Sequence, residues 1–330
     1  MDKQAKIYVA GTQTLLGLAI RGELEGQGYT NVIDGSGKEP ELVDAGQVDE
    51  FFARSVPEYV FLAAGKSGGI GANQKYPAEL IRDNLLLECH VIHSAYHYGV
   101  KKLLYLASSC CYPKHCPQPM RVESLMTGPL EPTNEAYAIS KIAGIQLCKA
   151  YRKQYGVKFI TGIPGDTFGP GDDFSLEDSH VVAALIRKIH DAKELGAKSV
   201  EIWGTGTPRR EFVFAADLAD ACIFAMNQYE GLEPINLGGA GSGMSIGELA
   251  ELIKEVIGYH GELRFDLTKP DGMPLKILDS TELSKMGWKP RTPFRTALSV
   301  TYEWYLRRQK CRASSSVGRP KSGLVENSRF

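Results

Sequence analysis

The chain has 330 residues, with 38 lysines and arginines against 39 aspartates and glutamates, so its formal net charge is −1. This balance provides no basic field for nucleic acid or anionic lipid, and we expect a small-molecule partner. No stretch reaches the roughly 18 apolar residues of a membrane span and no signal peptide is recognisable, so the composition predicts a soluble, cytoplasmic protein.

The first half of the chain alternates strand and helix patterns. Helical spacing of apolar residues separates five short apolar runs, which predict strands at 6–10, 30–34, 58–65, 101–109 and 157–165. Strands that alternate with helices are typical of βαβ units. The sequence therefore predicts an α/β fold with a Rossmann-type, doubly wound parallel sheet.

The second half has a looser pattern, from which we predict a smaller, interleaved C-terminal lobe that binds the substrate. Helices are predicted at 179–196, 212–228 and 244–258. We assign 1–170 to the dinucleotide-binding domain, to which part of 205–240 returns, and 171–310 mainly to the substrate lobe. The Ser-, Lys- and Arg-rich segment 311–330 predicts a disordered tail.

A glycine turn, GTQTLLG at 11–17, lies between the first strand and the first helix. Such a turn places a dinucleotide pyrophosphate at the helix N-terminus, where unpaired N–H groups hold the anion. Thr14 replaces the usual middle glycine, and either its Cβ pushes the phosphates outward or its hydroxyl donates to them. An ordinary strand-to-helix turn is the alternative interpretation.

Asp34, at the end of the second predicted strand, stands where an acid accepts hydrogen bonds from the adenosine ribose. A carboxylate there repels a 2′-phosphate, so the position favours NAD over NADP. A strand-end acid that is merely solvated is the alternative.

The segment YAISK places Tyr137 and Lys141 four residues apart, on one face of a predicted helix. An ammonium beside a phenol stabilises the phenolate, so we expect Lys141 to lower the pKa of Tyr137. Ser108 ends the strand predicted at 101–109, where ligands of a parallel sheet gather. Ser, Tyr and Lys in this arrangement resemble the extended short-chain dehydrogenase/reductase superfamily.

A narrower resemblance rests on five segments: SSCCYPK, GPLEPTNEAYAISKIAG, DSHVVAALIRKIHDAK, WGTGTPRREF and KPDGMPLKILD. Over residues 5–309 the chain resembles the GDP-L-fucose synthase family, which implies 3,5-epimerisation and 4-reduction of GDP-4-keto-6-deoxy-D-mannose. The resemblance assigns hydride transfer to Ser108, Tyr137 and Lys141. It assigns the acid and base of epimerisation to Cys110 and His180.

The same resemblance implies the binding residues and the oligomer. The residues expected at the NAD(P)(H) cofactor are Gly11, Thr12, Gln13, Thr14, Gly17, Asp34, Ala107, Lys141, Pro164, Asp166, Thr167 and His180. Those expected at a GDP-sugar are Lys188, Trp203, Arg210 and Asp279. No metal is expected, and the helix at 79–98 is expected to pair in a homodimer.

Departures from the family concern the cofactor. Thr14 replaces glycine, Gln13 stands where the family has arginine, 35–37 lacks the arginines expected at a 2′-phosphate, and Asp166 replaces asparagine. Family resemblance alone implies NADP, whereas these residues favour NAD.

Other functions stay open at this point. An enzyme that retains NAD would act as a C4 oxidase or epimerase of a GDP-hexose or GDP-heptose, and a nucleotide-sensing scaffold is the non-enzyme alternative. A 4,6-dehydratase is disfavoured, because Ser109 and Cys110 follow Ser108 where those enzymes carry an Asp-Glu pair. Disulfide and zinc roles for Cys110 and Cys111 are disfavoured, since the seven cysteines form no C-x-x-C pair.

Overall fold

The computed structural model describes residues 1–33, 39–175, 179–239, 241, 243–269 and 271–316, with the backbone alone for 312–316. Within these ranges the strands are β1 (Ile7–Ala10), β2 (Val32–Ile33), β3 (Tyr59–Leu62), β4 (Lys102–Leu106), β5 (Lys158–Pro164), β6 (Asp166–Phe168), β7 (Ser199–Trp203), β8 (Arg209–Arg210), β9 (Phe212–Phe214), β10 (Ile235–Leu237), β11 (Met244–Ser245), β12 (Glu262–Asp266) and β13 (Leu275–Lys276).

The helices lie between and after these strands. They are α1 (Leu15–Gly26), α2 (Ala45–Ser55), α3 (Ile70–Lys75), α4 (Pro77–His97), α5 (Glu135–Tyr155), α6 (Val181–Glu194), α7 (Ala215–Gln228), α8 (Ile246–Ile257), α9 (Thr281–Lys285) and α10 (Phe294–Ser316). In the described part of the chain, no helix is both long and apolar enough to cross a membrane.

The central sheet has six strands in the order β10-β5-β4-β3-β1-β2, and all of its neighbouring strands are parallel. Both faces are covered: α2, α4 and α5 contribute to one apolar core, and α1 and α7 to the other. This explains why β1 and β4 are buried along their whole length, since strands of a parallel sheet bury both faces. The predicted Rossmann-type fold is confirmed.

A third apolar core lies among α6, α8 and α10 and the parallel pair β7–β12. Helix α8 begins with a capping box, in which the Ser245 hydroxyl accepts from the Glu248 N–H and the Glu248 carboxylate accepts from the Ser245 N–H. Although α7 and β10 come late in the chain, they belong to the layers of the central sheet.

The structure differs from the sequence prediction at short elements. Residues 212–214 form β9 and only then does α7 begin, so the helix predicted from 212 is wrong at its start. Strands of two or three residues, such as β8 and β13, are too short to show a period. Helix α10 continues through 311–316, inside the predicted tail, and 317–330 lie outside the described residues.

Candidate active site

The glycine turn connects β1 to α1 as predicted. Gly11 has φ +91°, and a Cβ there would lie 2.5 Å from the Ala64 Cα; a Cβ on Gly17 would lie 2.0 Å from the Gly11 carbonyl oxygen. Both positions therefore require glycine. Glycine at these positions leaves no side chain beside the start of α1, which fits the close approach of a dinucleotide pyrophosphate.

Thr14 is the N-cap of α1. Its Oγ1 accepts from the Gly17 N–H at 3.0 Å and donates to the Gly11 carbonyl at 2.8 Å. The hydroxyl hydrogen therefore points into the turn, away from the role of phosphate donor considered from the sequence. Gln13, next to it, is exposed.

A carboxylate that the sequence reasoning missed lies against this turn. Glu39 Oε1 accepts from the Gly11 N–H at 2.6 Å, and Oε2 lies 3.3 Å from the Thr12 hydroxyl. Asp34, which the sequence assigns to the ribose, lies outside the described residues. Glu39 comes five residues later, and only its acidic character near the end of β2 could have indicated it.

The hydroxyl pair lies where β4 ends. Ser108 caps the short 3₁₀ turn Ser109–Cys111, and its Oγ accepts from the Cys110 N–H at 3.2 Å. The same hydroxyl lies close enough to the Tyr137 phenol, at the start of α5, to lower the pKa of that phenol. The structure thus brings Ser108, Cys110 and Tyr137 together. Ala107 and Pro164 lie at the carboxyl ends of the neighbouring strands β4 and β5. Thr167 lies in β6, and its hydroxyl donates to the Gly165 carbonyl.

The expectation that Lys141 lowers the pKa of Tyr137 is wrong in this structure. Burial, followed by the charge of Cys110, raises the pKa of Tyr137 well above its usual value, and the bond from Ser108 only partly opposes this rise. The Lys141 Nζ is 6.0 Å from the centre of the Tyr137 ring. The Lys141 ammonium points away from the phenol because it forms a buried ion pair.

That partner is Glu88 of α4. The Lys141 Nζ lies 3.0 Å from Glu88 Oε1, and the two side chains are 3% and 1% exposed. The Tyr105 hydroxyl donates to the same oxygen at 2.8 Å, and Gly144 leaves room for this hydroxyl, because a Cβ there would lie 2.4 Å from it. Burial raises the pKa of Glu88, and Lys141 partly offsets the rise. A single acid in the apolar run LLLECHVI was the signal for it.

A second polar cluster surrounds the Cys110 thiol. The Asn134 Nδ2 donates to Sγ at 3.2 Å, and the Lys276 Nζ lies 3.7 Å from Sγ. The same Nζ is 2.7 Å from Asp166 Oδ1, and the Arg210 Nε is 3.9 Å from Oδ2. Burial raises the pKa of Asp166, but Lys276 and Arg210 outweigh it and leave the pKa low. Sequence reasoning missed Lys276 and Asn134, although both lie in segments that carry the resemblance.

His180 is the N-cap of α6, and its side chain makes no capping hydrogen bond. Loss of hydration lowers its pKa, and the Asp166 carboxylate opposes this effect. Cys111 is a small core residue: it is fully buried, and burial raises its pKa to about 12. Cys110 and Cys111 are free thiols, and no metal-binding cluster of His, Cys, Asp and Glu occurs in the described ranges.

Two of the predicted sugar-nucleotide residues lie together at the end of β7. The Lys188 Nζ and the Lys269 Nζ are 5.0 and 5.2 Å from the centre of the Trp203 ring, which is 45% exposed. An open aromatic face with two ammonium groups suits a base and its phosphates. Asp279 instead contacts Arg121 at 3.1 Å and lines a cavity of about 700 Å³.

The parallel sheet, the glycine turn and the Ser108–Tyr137–Lys141 set together define an enzyme of the short-chain dehydrogenase/reductase type. The family model described as NAD dependent epimerase/dehydratase family matches residues 7–238.

Relatives narrow this class. A protein of Arabidopsis thaliana named GDP-L-fucose synthase 1 is 52% identical over 306 residues, covering 93% of this chain and 94% of the relative. The chain belongs to the GDP-L-fucose synthase family.

Solved structures agree with this assignment. A GDP-L-fucose synthetase from Naegleria fowleri, bound to NADP, is 27% identical with a TM-score of 0.86 and covers 94% of this chain and 96% of its own. A GDP-6-OMe-4-keto-L-xylo-heptose reductase from C. jejuni is 32% identical with a TM-score of 0.88, covering 93% and 99%.

We predict that Glu88→Gln lowers the free energy of unfolding by about 3–5 kcal/mol, because it leaves the buried Lys141 ammonium without a counter-charge. Urea unfolding at pH 7 measures this change. The control is Glu255→Gln, which breaks the exposed pair with Arg295 at 2.8 Å and should leave the midpoint nearly unchanged. Equal effects of the two substitutions would contradict the assigned importance of Glu88.

Proposed function

We propose that the protein catalyses the 3,5-epimerisation and 4-reduction of GDP-4-keto-6-deoxy-D-mannose to GDP-L-fucose with NAD(P)H. The observation that carries the proposal is the position of Cys110. Its backbone N–H is held by Ser108, whereas its thiol faces Asn134 and Lys276. A sugar whose C4 carbonyl meets Ser108 and Tyr137 therefore presents the neighbouring carbons to Cys110.

The two chemical tasks need different groups. A 4-keto group acidifies the protons at C3 and C5, so a base removes one to give an enolate and an acid returns a proton to the other face. A thiol and an imidazole suit this work because their usual pKa values lie near neutrality. Cys110 and His180 supply these groups.

The reduction uses the sheet side of the cleft. Bound NAD(P)H supplies the hydride for C4. Ser108 holds the carbonyl oxygen, and Tyr137 donates the proton that turns this oxygen into a hydroxyl. Lys141 lies one helical turn after Tyr137, and its ion pair with Glu88 holds its side chain in the interior.

Between the two cofactors, we propose that NADH is preferred to NADPH. Glu39 places a carboxylate on the Gly11 N–H, at the edge of the turn next to the end of β2, and a carboxylate repels a 2′-phosphate. Residues 35–37 and Gln13 stand where arginines would hold a 2′-phosphate, and their lack of positive charge also favours NADH.

We also propose a cytoplasmic homodimer that pairs through α4 and α5. These helices present a cluster of aromatic side chains, in which Tyr96 and Tyr155 stack at 4.2 Å and Tyr151 packs on both. Tyr155 is 45% exposed. Light scattering during size-exclusion chromatography should give twice the 36.2 kDa of the chain.

A second candidate is reduction of a GDP-4-keto-heptose. The observation that favours it is the likeness to the heptose reductase from C. jejuni, at a TM-score of 0.88. Comparing turnover of the 6-deoxyhexose and the heptose substrates distinguishes the two functions.

The division of roles predicts opposite defects in two variants. In Cys110→Ser, the rate of deuterium uptake at C3 and C5 should fall by about 10²-fold or more, while some C4 reduction remains. In Tyr137→Phe, C4 reduction should fall by a similar factor, while deuterium uptake remains. Mass spectrometry of the sugar follows uptake, and absorbance at 340 nm follows cofactor oxidation.

Cys116→Ser is the control for these variants, because this thiol accepts from the Gln118 amide at 3.9 Å and packs on the apolar core, and it has no assigned role in the site. It should retain both activities. Equal loss of both activities in the two active-site variants would contradict the separate roles.

For the cofactor, we predict that the wild type has a lower KM for NADH than for NADPH, and that Glu39→Gln narrows this preference by about tenfold through loss of the carboxylate charge. Initial rates against cofactor concentration measure it. The control, Glu41→Gln, changes an exposed acid two residues away and should keep the preference. A wild-type preference for NADPH would refute the assignment.

A further inference from the structure

An ion pair lies beside Cys110, one of the two groups to which we assign the epimerisation. Lys276 of β13 and Asp166 of β6 lie 2.7 Å apart, with side chains 11% and 30% exposed. The ammonium of this pair faces the Cys110 Sγ at 3.7 Å. Burial lowers the pKa of His180, the Asp166 and Asp173 carboxylates oppose this effect, and the Lys276 ammonium adds to it.

The pair is fixed from several sides. β13 and β11 both pair with β8, which carries Arg210, and β6 pairs with β9. Arg210 approaches the far oxygen of Asp166 at 3.9 Å, so the carboxylate lies between two cations. The orientation of the pair therefore follows from backbone pairing of strands that lie far apart in sequence.

Other titratable groups also face the thiol. From the elements packed around it these are Lys276, Asp166, Arg210, Tyr137 and Cys111. Among them Lys276 is the cation in direct contact with Sγ, because Arg210 bonds to Asp166, to the Arg209 carbonyl and to the Asp271 carbonyl.

Resting on the proposed function, we propose that Lys276 is a positioning residue that stabilises the Cys110 thiolate, and that Asp166 holds the ammonium in place. The Lys276 Nζ faces the Cys110 Sγ at 3.7 Å and Asp166 Oδ1 at 2.7 Å. Asn134 adds a neutral donor to the thiolate.

Cys110 and His180 then account for both protons that move in the epimerisation step. The thiolate takes the proton from the carbon next to the ketone, and the C–H electron pair becomes the enolate. The imidazolium gives its proton to the other face of that carbon, which inverts the centre and leaves a thiol and a neutral imidazole. Exchange of one proton with water at each group restores the starting state, and no oxidant or reductant is consumed.

The test measures the thiolate directly and needs no substrate. Iodoacetamide reacts with the thiolate form of a cysteine, and mass spectrometry of the peptide containing Cys110 gives its rate of alkylation from pH 5 to 10 in the full chain. Lys276→Met should slow this reaction at pH 7 by about tenfold, with a rate close to wild type at pH 10. Asp166→Asn should accelerate it at pH 7, since Lys276 then keeps its full charge.

Matched variants separate charge from folding. Lys114 is four residues after Cys110, and its ammonium pairs with Glu131 at 3.0 Å instead of facing the thiol. Lys114→Met should therefore leave the alkylation rate of Cys110 at the wild-type value. Lys276→Arg keeps the positive charge and should retain the fast reaction. The double variant Lys276→Met with Asp166→Asn removes both charges of the pair, while Arg210 keeps its hydrogen bonds to the Arg209 and Asp271 carbonyls, so the variant should fold and still react slowly.

A second readout concerns His180. Its imidazole NMR titration should move to lower pH in Asp166→Asn, because the carboxylate that raises the pKa is gone. An unchanged alkylation profile in Lys276→Met, or the same slowing in Lys114→Met, would overturn the proposal. If the wild type exchanges no protons of the keto sugar while the alkylation profile still follows Lys276, then the proposed function fails and the influence of the pair on Cys110 stands.

Discussion

The ion pair between Lys141 and Glu88 is the contact on which the geometry of the site depends. Both side chains are almost fully buried, so neither charge is stable there without the other. The pair joins α5 to α4 under the end of β4, and the Lys141 Nζ lies 3.4 Å from the Leu106 carbonyl. One helical turn earlier on α5, Tyr137 is thereby held against Ser108. A helix that shifted by a residue would separate the two hydroxyls and expose a charge to the core.

The cleft has two polar sides that meet at Cys110. The end of β4 supplies Ser108 and helix α5 supplies Tyr137 and Lys141, which suit chemistry at a carbonyl oxygen. The short strands of the other side supply Asp166, Arg210 and Lys276, which place charge near a thiol and an imidazole. Under the proposed function, a substrate that spans the cleft would meet hydride chemistry and proton chemistry on adjacent carbons without changing its position.

Much of the fold follows from the sequence, because long apolar runs and helical periodicity depend on local residues. Strands β1 to β5 of the central sheet and the long helices between them belong to that part. The short strands β6, β8 and β13 do not, since two or three residues have no period and form only by pairing with distant strands. The site divides in the same way. Ser108 and Tyr137 could be predicted from a strand end and a helix start, whereas Glu88 is 53 residues from Lys141 and Lys276 is 166 residues from Cys110. The expected effect of Lys141 on Tyr137 failed for this reason: helical spacing shows which residues share a face, but not which buried charge competes for one of them.

The stereochemistry of the product tests the central claim most directly. GDP-4-keto-6-deoxy-D-mannose would be converted with reduced cofactor in D₂O, and the GDP-sugar analysed by NMR. The account predicts an L-fuco configuration with deuterium at C3 and C5 and protium at C4, delivered as hydride. A C4-reduced sugar that keeps the D configuration at C5 and protium at C3 and C5 would show that Cys110 and His180 do not perform the epimerisation, and would contradict the account.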